Sequence, residues 1–232
     1  MALADSAGMH AASEGDEART EPAPGVAGSG REMHGENRAY LDTGLTPDYG
    51  DFTWEAWAQL GVTMGDDVVV GMLTGGAPQG IVEMGFYDMD GDFGPDGHLA
   101  CVCPSAGARF EVRDGSVGPG GPWHYVVVTR NGTQARLFQD GELASEAVVD
   151  AQRLQAATRL LIGRQWRLGG TGTERDFEGL LDEVRTSTAG RSESWVYVQY
   201  ISIAGESLGR PLLSFAQDDQ PTEFRFGDIP DP

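Results

Sequence analysis

The sequence predicts an all-β protein, a two-sheet antiparallel β-sandwich carrying one short C-terminal helix. Three observations point there. Glycine is abundant, at 34 of 232 residues beside 12 prolines. Short apolar stretches recur at near-regular spacing between turn-forming residues, and long helical periodicities are missing. A hydrophobic fraction of 40% suffices for a core, and one large β domain accommodates a chain of this length.

The clearest element is WHYVVVTRNGTQARLFQDGELAS, residues 123–145. Asn131-Gly132 and Asp140-Gly141 supply the positive backbone φ angles that tight two-residue hairpin loops require, which predicts a three-stranded antiparallel meander. Its first strand, His124 to Arg130, is Val-rich and expected to be buried on both faces. The second, Thr133 to Gln139, interleaves Ala135 and Leu137 with Gln134 and Arg136. In FTWEAWAQL, alternation puts Phe52, Trp54, Ala56, Ala58 and Leu60 on one face and Thr53, Glu55, Trp57 and Gln59 on the other. Trp57 then stands among polar neighbours, either as a platform for stacking a sugar ring or as a lid over the sheet edge.

Further strands are expected at Arg38 to Thr43, Val68 to Leu73, Ile81 to Asp88, His98 to Cys103, Arg109 to Arg113, Leu160 to Gly163 and Phe177 to Thr186, about a dozen in all. Trp54, Val126, Val128, Leu137, Phe138, Leu161 and Leu181 are the expected core. Residues 1–37 read as a polar opening loop, 38–200 as the folded module, and 201–232 as an edge segment or linker. The helix is expected in RSESWVYVQYIS, with Ser192 as N-cap and Glu193 in a first turn that favours acidic residues, for about two turns.

The formal charge of −20 argues against nucleic acid and anionic membrane surfaces and makes cations the natural counterparts. All 16 basic residues are Arg. No apolar run reaches the roughly 20 residues of a membrane span, and the N-terminus lacks the pattern of a signal peptide. Cys101 and Cys103 fall on one face of a strand, too poorly directed for a disulfide, and read as small buried apolar residues. Asn131-Gly132-Thr133 matches a glycosylation sequon, but turn chemistry already accounts for Asn and Gly.

The succession FTWEAWAQL, WHYVVVTRNGTQARLFQDGELAS, RLLIGRQ and FEGLLDEVRTSTAGRSESWVYVQY resembles the laminin-G-like jelly rolls of the concanavalin A-like lectin and glucanase superfamily. The resemblance covers residues 5 to about 200, since ADSAGMHAASEGDEARTEPAPGVAGSG is similar to the family's opening loop. It implies a jelly roll, a place at the cell surface or in the secreted fraction, a strand supplied from further upstream, and membership of a longer polypeptide. Two functions follow from it. One is a recognition or adhesion module for glycan or a protein surface, with Trp57 and Trp166 as candidate ligand-binding residues. The other is a structural spacer that self-associates through an exposed sheet edge.

Catalysis is not expected. Glucanases of the superfamily set carboxylates along one strand as E-x-D-x-E, and the nearest approach, Asp88, Asp90 and Asp92, has no Glu and lies among Gly and Pro. The segment DMDGDFGPDGH instead concentrates Asp88, Asp90, Asp92 and Asp96 in a loop of the kind that gives oxygen ligands to calcium, unless it is a solvated acidic turn. It is not an EF-hand, because Phe93 and Leu99 stand where Gly and Glu belong. Asp182 interrupts an apolar strand and must be paired or ligating if buried, with Arg185 or Arg164 as partner or a backbone hydrogen bond in their place. The resemblance adds that a late-strand carboxylate helps hold a structural calcium with the N-terminal region, making Asp182 with Asp5 a candidate pair.

Overall fold

The computed structural model describes residues 2–3, 12–14, 20–34, 40–61, 67–73, 81–87, 97–102, 109–117, 120–149, 154–155, 159–164 and 176–207. In chain order its strands are β1 (Ala2–Leu3), β2 (Ala12–Glu14), β3 (Glu21–Gly25), β4 (Gly28–Met33), β5 (Leu41–Asp42), β6 (Asp48–Tyr49), β7 (Phe52–Leu60), β8 (Asp67–Leu73) and β9 (Ile81–Tyr87). There follow β10 (Gly97–Val102), β11 (Arg109–Val117), β12 (His124–Asn131), β13 (Gln134–Gln139), β14 (Glu142–Val148), β15 (Leu154–Gln155), β16 (Leu161–Ile162) and β17 (Gly179–Ser187), then helix α1 (Glu193–Ser207).

Two antiparallel sheets face each other. One runs β1-β2-β5-β16-β8-β9-β10-β11 and the other β14-β13-β12-β7-β17-β4-β3; β15 and β6 form a separate pair. Alternation along β7 and β12 sends Phe52, Trp54, Ala56, Ala58, Val126 and Val128 inward to meet Val69, Met72, Val82, Met84, Phe86 and Leu99 of the facing sheet. Every expected core residue is buried, and Cys101 lies within the same core. Cys103 lies outside the described residues.

The meander forms, with its first turn one residue later than expected: Asn131 pairs with Gln134, so the loop is Gly132-Thr133, and only Gly132 takes positive φ, 59°. Asp140 and Gly141 both take positive φ, 51° and 81°, as a type I′ turn demands, and the Asp140 and Tyr125 backbones are tied by an N–H to carbonyl bond of 2.8 Å. His124, at the start of β12, places Nδ1 2.7 Å from Asp140 Oδ2, which pins the strand to its own second turn.

Two expectations are corrected. The opening segment is not all loop: β3 and β4 form a hairpin that joins the seven-stranded sheet through Leu181 opposite Arg31. Pro22 and Pro24 disguise β3, yet β3 is the sheet's edge strand, where a missing N–H donor costs nothing. The helix runs 15 residues rather than two turns. Ser192 caps it, its Oγ accepting the Trp195 N–H at 3.3 Å. Beyond the cap, ESWVYVQYISIAGES is rich in β-branched and aromatic residues of modest helix propensity. Packing decides instead: Val196, Tyr200 and Ala204, spaced four apart, lie against the outer face of the sheet.

At the β7–β17 junction Gly179 takes φ 138°, and a Cβ there would meet the Gln59 carbonyl oxygen and the Gly61 nitrogen. Neither is a flexible side chain that can move aside. Gly179→Ala is therefore expected to cost about 3 kcal/mol or more in urea unfolding; a loss near zero would show that the junction is not tightly held.

Candidate binding and metal sites

The seven-stranded sheet carries an apolar row on each face. Outward from β7, β12 and β13 point Trp57, Tyr125, Val127 and Phe138, and α1 covers them with Val196 and Ala204. Trp57 is 3% exposed, its ring stacked on Tyr200 at 5.8 Å and tilted against Tyr125 at 5.3 Å. A sugar-stacking platform must present a ring face to solvent. The structure therefore corrects the ligand-binding expectation for Trp57, whose ring serves the packing of helix on sheet. Trp166, the other candidate, lies outside the described residues.

Beneath the same helix sits a polar cluster that sequence reading missed. Glu55 is 4% exposed and accepts the Tyr125 hydroxyl hydrogen bond, while Arg185 reaches Glu55 at 3.5 Å, Gln199 of the helix at 3.3 Å, and Glu183. Burial raises the Glu55 carboxyl above its ordinary 4.5, opposed by the Tyr125 hydrogen bond and the Arg185 charge. Burial and then the neighbouring Glu55 raise the Tyr125 hydroxyl, so it remains a donor. Glu55 stands in the polar half of FTWEAWAQL; the signal was present, but alternation cannot tell a solvated face from one capped by a distant helix.

Asp182 is buried, as a carboxylate interrupting an apolar strand suggested, but neither Arg pairs with it. Its Oδ2 accepts the Ala27 N–H at 3.0 Å and its Oδ1 the Glu183 N–H at 2.8 Å, so it locks the turn of the β3–β4 hairpin. Arg164 pairs with Asp176 at 2.8 Å and lies over the Tyr40 ring, and Arg185 joins the Glu55 cluster. A cation cage needs converging oxygens, whereas the groups converging on Asp182 are N–H donors. A Cβ on Gly25 would strike Oδ2, so the hairpin backbone closes that side as well. Among the described residues this set does not fit calcium. Asp5, Asp88, Asp90, Asp92 and Asp96 lie outside them.

The strand ends show where the remaining candidates emerge. Asp67 of β8 lies opposite Phe86 near the end of β9, and Tyr87 opposite His98, so the segment 88–96 leaves at the β8 start. The Gly163 N–H bonds the Val69 carbonyl at 2.9 Å, and Arg164 bridges Asp176, so 165–175 is bracketed at the same end. The Asp67 carboxylate accepts the Glu178 N–H at 2.8 Å and ties these flanks together. The acidic segment and the segment holding Trp166 therefore depart from one end of the sandwich.

Residues 34–197 match the family model Laminin_G_3, described as the concanavalin A-like lectin/glucanases superfamily. The chain belongs to this family. Its sandwich is shared by domain 4 of AbnA, a GH43 extracellular arabinanase from Geobacillus stearothermophilus, solved with arabinotriose: TM-score 0.61, 16% identity, 84% of this chain and 91% of that one. A provisionally named carbohydrate binding protein from Bacteroides ovatus ATCC 8483 gives TM-score 0.56 and 20% identity over 72% of this chain, which spans 45% of that protein. A Trypanosoma rangeli sialidase gives TM-score 0.58 and 17% identity over 87% of this chain and 30% of its own. At such identities the likeness is one of fold, and the fold serves binding modules and enzyme chains alike. No curated protein matches the chain. Among the described residues no helix is long and apolar enough to cross a membrane.

The raised Glu55 pKa carries a signed consequence. A group that holds its proton more tightly when folded contributes most below 4.5, and that contribution is lost as pH rises through the folded value. Glu55→Gln keeps an acceptor for Tyr125 and removes the ionisation. Relative to the variant, the native chain is expected to lose stability as pH rises from 4.5 toward neutrality. A wild-type-minus-variant difference that is flat across this range would contradict the assignment.

Proposed function

We propose that this laminin-G-type chain is a non-catalytic recognition module of the cell surface or secreted fraction that binds glycan at the end of the sandwich where 88–96 and 165–175 depart. The observation that carries the reading is the match to the arabinotriose-bound domain over 84% of this chain and 91% of that one, within a family named for lectins and glucanases. Its location is supported by what α1 covers. Over β7, β12 and β13 the outer face of the seven-stranded sheet is covered by the helix, which favours the loops at the ends of the strands for specificity. For the non-catalytic half, the inner-strand carboxylates Glu55 and Glu83, 4% and 2% exposed, are out of a sugar's reach. An acid and base for glycoside cleavage must both reach the sugar.

A second reading, self-association through a sheet edge, draws on β14, whose exposed run includes Val148 at 81% and Leu143 at 39%. Glu142 and Glu146 on the same strand blunt that edge. Affinity electrophoresis against a polysaccharide panel that includes arabinan, a reducing-sugar assay and a solution mass together separate these functions. Retardation of an intact monomer without sugar release is expected. Release would make it an enzyme; polymers that bind no sugar would make it a spacer.

We further propose a structural calcium ion at Asp88, Asp90, Asp92 and Asp96, because clustered carboxylates in a chain of charge −20 gain from a divalent counterion. The melting temperature should rise from chelator to millimolar calcium, reflecting a stability gain of roughly 2.7 kcal/mol at a hundredfold excess over the dissociation constant, and sodium chloride should not reproduce the rise. Asp90→Asn is expected to abolish the increment. Asp182→Asn is expected to lower stability in chelator and calcium alike, since it breaks the hairpin lock; an increment lost only in Asp182→Asn would return the site to Asp182 and Asp5.

A further inference from the structure

The β3–β4 hairpin brings together three side chains that no sequence pattern joins. Glu21 and Glu32 are direct cross-strand partners, and His34 follows Glu32 by two residues. Strand alternation places Glu21 and Glu32 on one side, and His34, one residue past the end of β4, converges with them. It is the outer side of the seven-stranded sheet, because the intervening Met33 points into the core while Glu32 pairs with Leu180. Glu21 is exposed, and Glu32 and His34 are half-buried. One ligand atom from each, two carboxylate oxygens and an imidazole nitrogen, lie within 4.8 Å of one another.

Like charges directly opposite on neighbouring strands repel. The hairpin cannot slip to relieve them: its register runs from Glu21 opposite Glu32 to Gly25 opposite Gly28, and Asp182 holds the turn. The rest of the chain offers little relief either, with 36 acidic residues against 16 basic ones. A cation seated between the carboxylates converts this repulsion into attraction, and the imidazole says which cation. Calcium takes oxygen ligands almost exclusively, whereas a mixed set of imidazole and carboxylate suits first-row transition dications. Ligands around a tetrahedral zinc stand about 3.4 Å apart, so modest rotation of these side chains, on strands already in place, closes the set. Their partial exposure leaves the remaining coordination position to water.

We propose that Glu21, Glu32 and His34 form a binding site for a first-row transition-metal dication such as zinc, stapling edge strand β3 to β4. The site adjoins the same end of the sandwich, since Glu32 stands opposite Leu180 two residues past Glu178, but it is built from other residues and does not depend on the glycan reading. The test is calorimetric titration of the intact chain, stripped with chelator, with zinc at near-neutral pH, repeated with excess calcium. One zinc per chain is expected. Glu32→Gln and His34→Ala should each weaken binding at least about tenfold, with melting in chelator unchanged, and Glu146→Gln on β14 should leave it intact. Zinc binding should also raise the melting temperature of the native chain. Absence of saturable binding, binding untouched by both variants, or displacement of zinc by equimolar calcium would each overturn the proposal.

Discussion

The seven-stranded sheet has an apolar row on each face and only one sheet to pack against. Along β7 and β12 the inward residues Trp54, Ala56, Val126 and Val128 fill the sandwich, and the outward residues Trp57, Tyr125 and Val127 are equally unsuited to water. Burying an aromatic or large aliphatic side chain is worth about 1.5–3 kcal/mol, so leaving that outer row bare would forfeit a large part of the marginal stability of a domain. Helix α1 answers the constraint, and much else follows. The chain must turn after β17, at Gly190 against the Arg130 carbonyl, and run back over the sheet until Tyr200 rests on Gly141. Glu55 is enclosed beneath it, with the half-exposed Arg185 reaching in from the rim, and Trp57 is removed from solvent.

Most of the fold was legible because period-two alternation and turn chemistry agree over β7 and the β12–β14 meander. What escaped did so for identifiable reasons. Pro22 and Pro24 argue against a strand everywhere except at a sheet edge, and edge position is a tertiary fact. The later turns of α1 are written in Val, Tyr and Ile, residues that read as strand until one knows that a sheet face lies four residues wide of each contact. Phe138 was correctly expected to be buried, but it belongs to the layer under the helix rather than to the sandwich core.

The site was less legible, since it depends on which residues meet across sequence. Asp182 was recognisable as a carboxylate out of place, but its partners, the Ala27 and Glu183 N–H groups, are backbone atoms that carry no signature in sequence. Arg164 and Arg185 were plausible partners by charge, and each is engaged by a different carboxylate. Glu21, Glu32 and His34 were invisible for the same reason as β3 itself: without the hairpin they are three residues of a polar stretch. The converse holds for the acidic residues near Asp90 and for Trp166, which composition marks plainly and whose flanking strands converge on one end of the sandwich.

The central claim is that the helix-covered face is interior and that recognition belongs to the strand ends. Hydroxyl-radical footprinting of the native chain, read residue by residue by mass spectrometry with and without a retained arabinan oligosaccharide, tests it directly. The account predicts that Trp57 is spared in both states and that protection by sugar appears in 88–96 and 165–175. Oxidation of Trp57 in the free chain, suppressed when sugar is added, would contradict it.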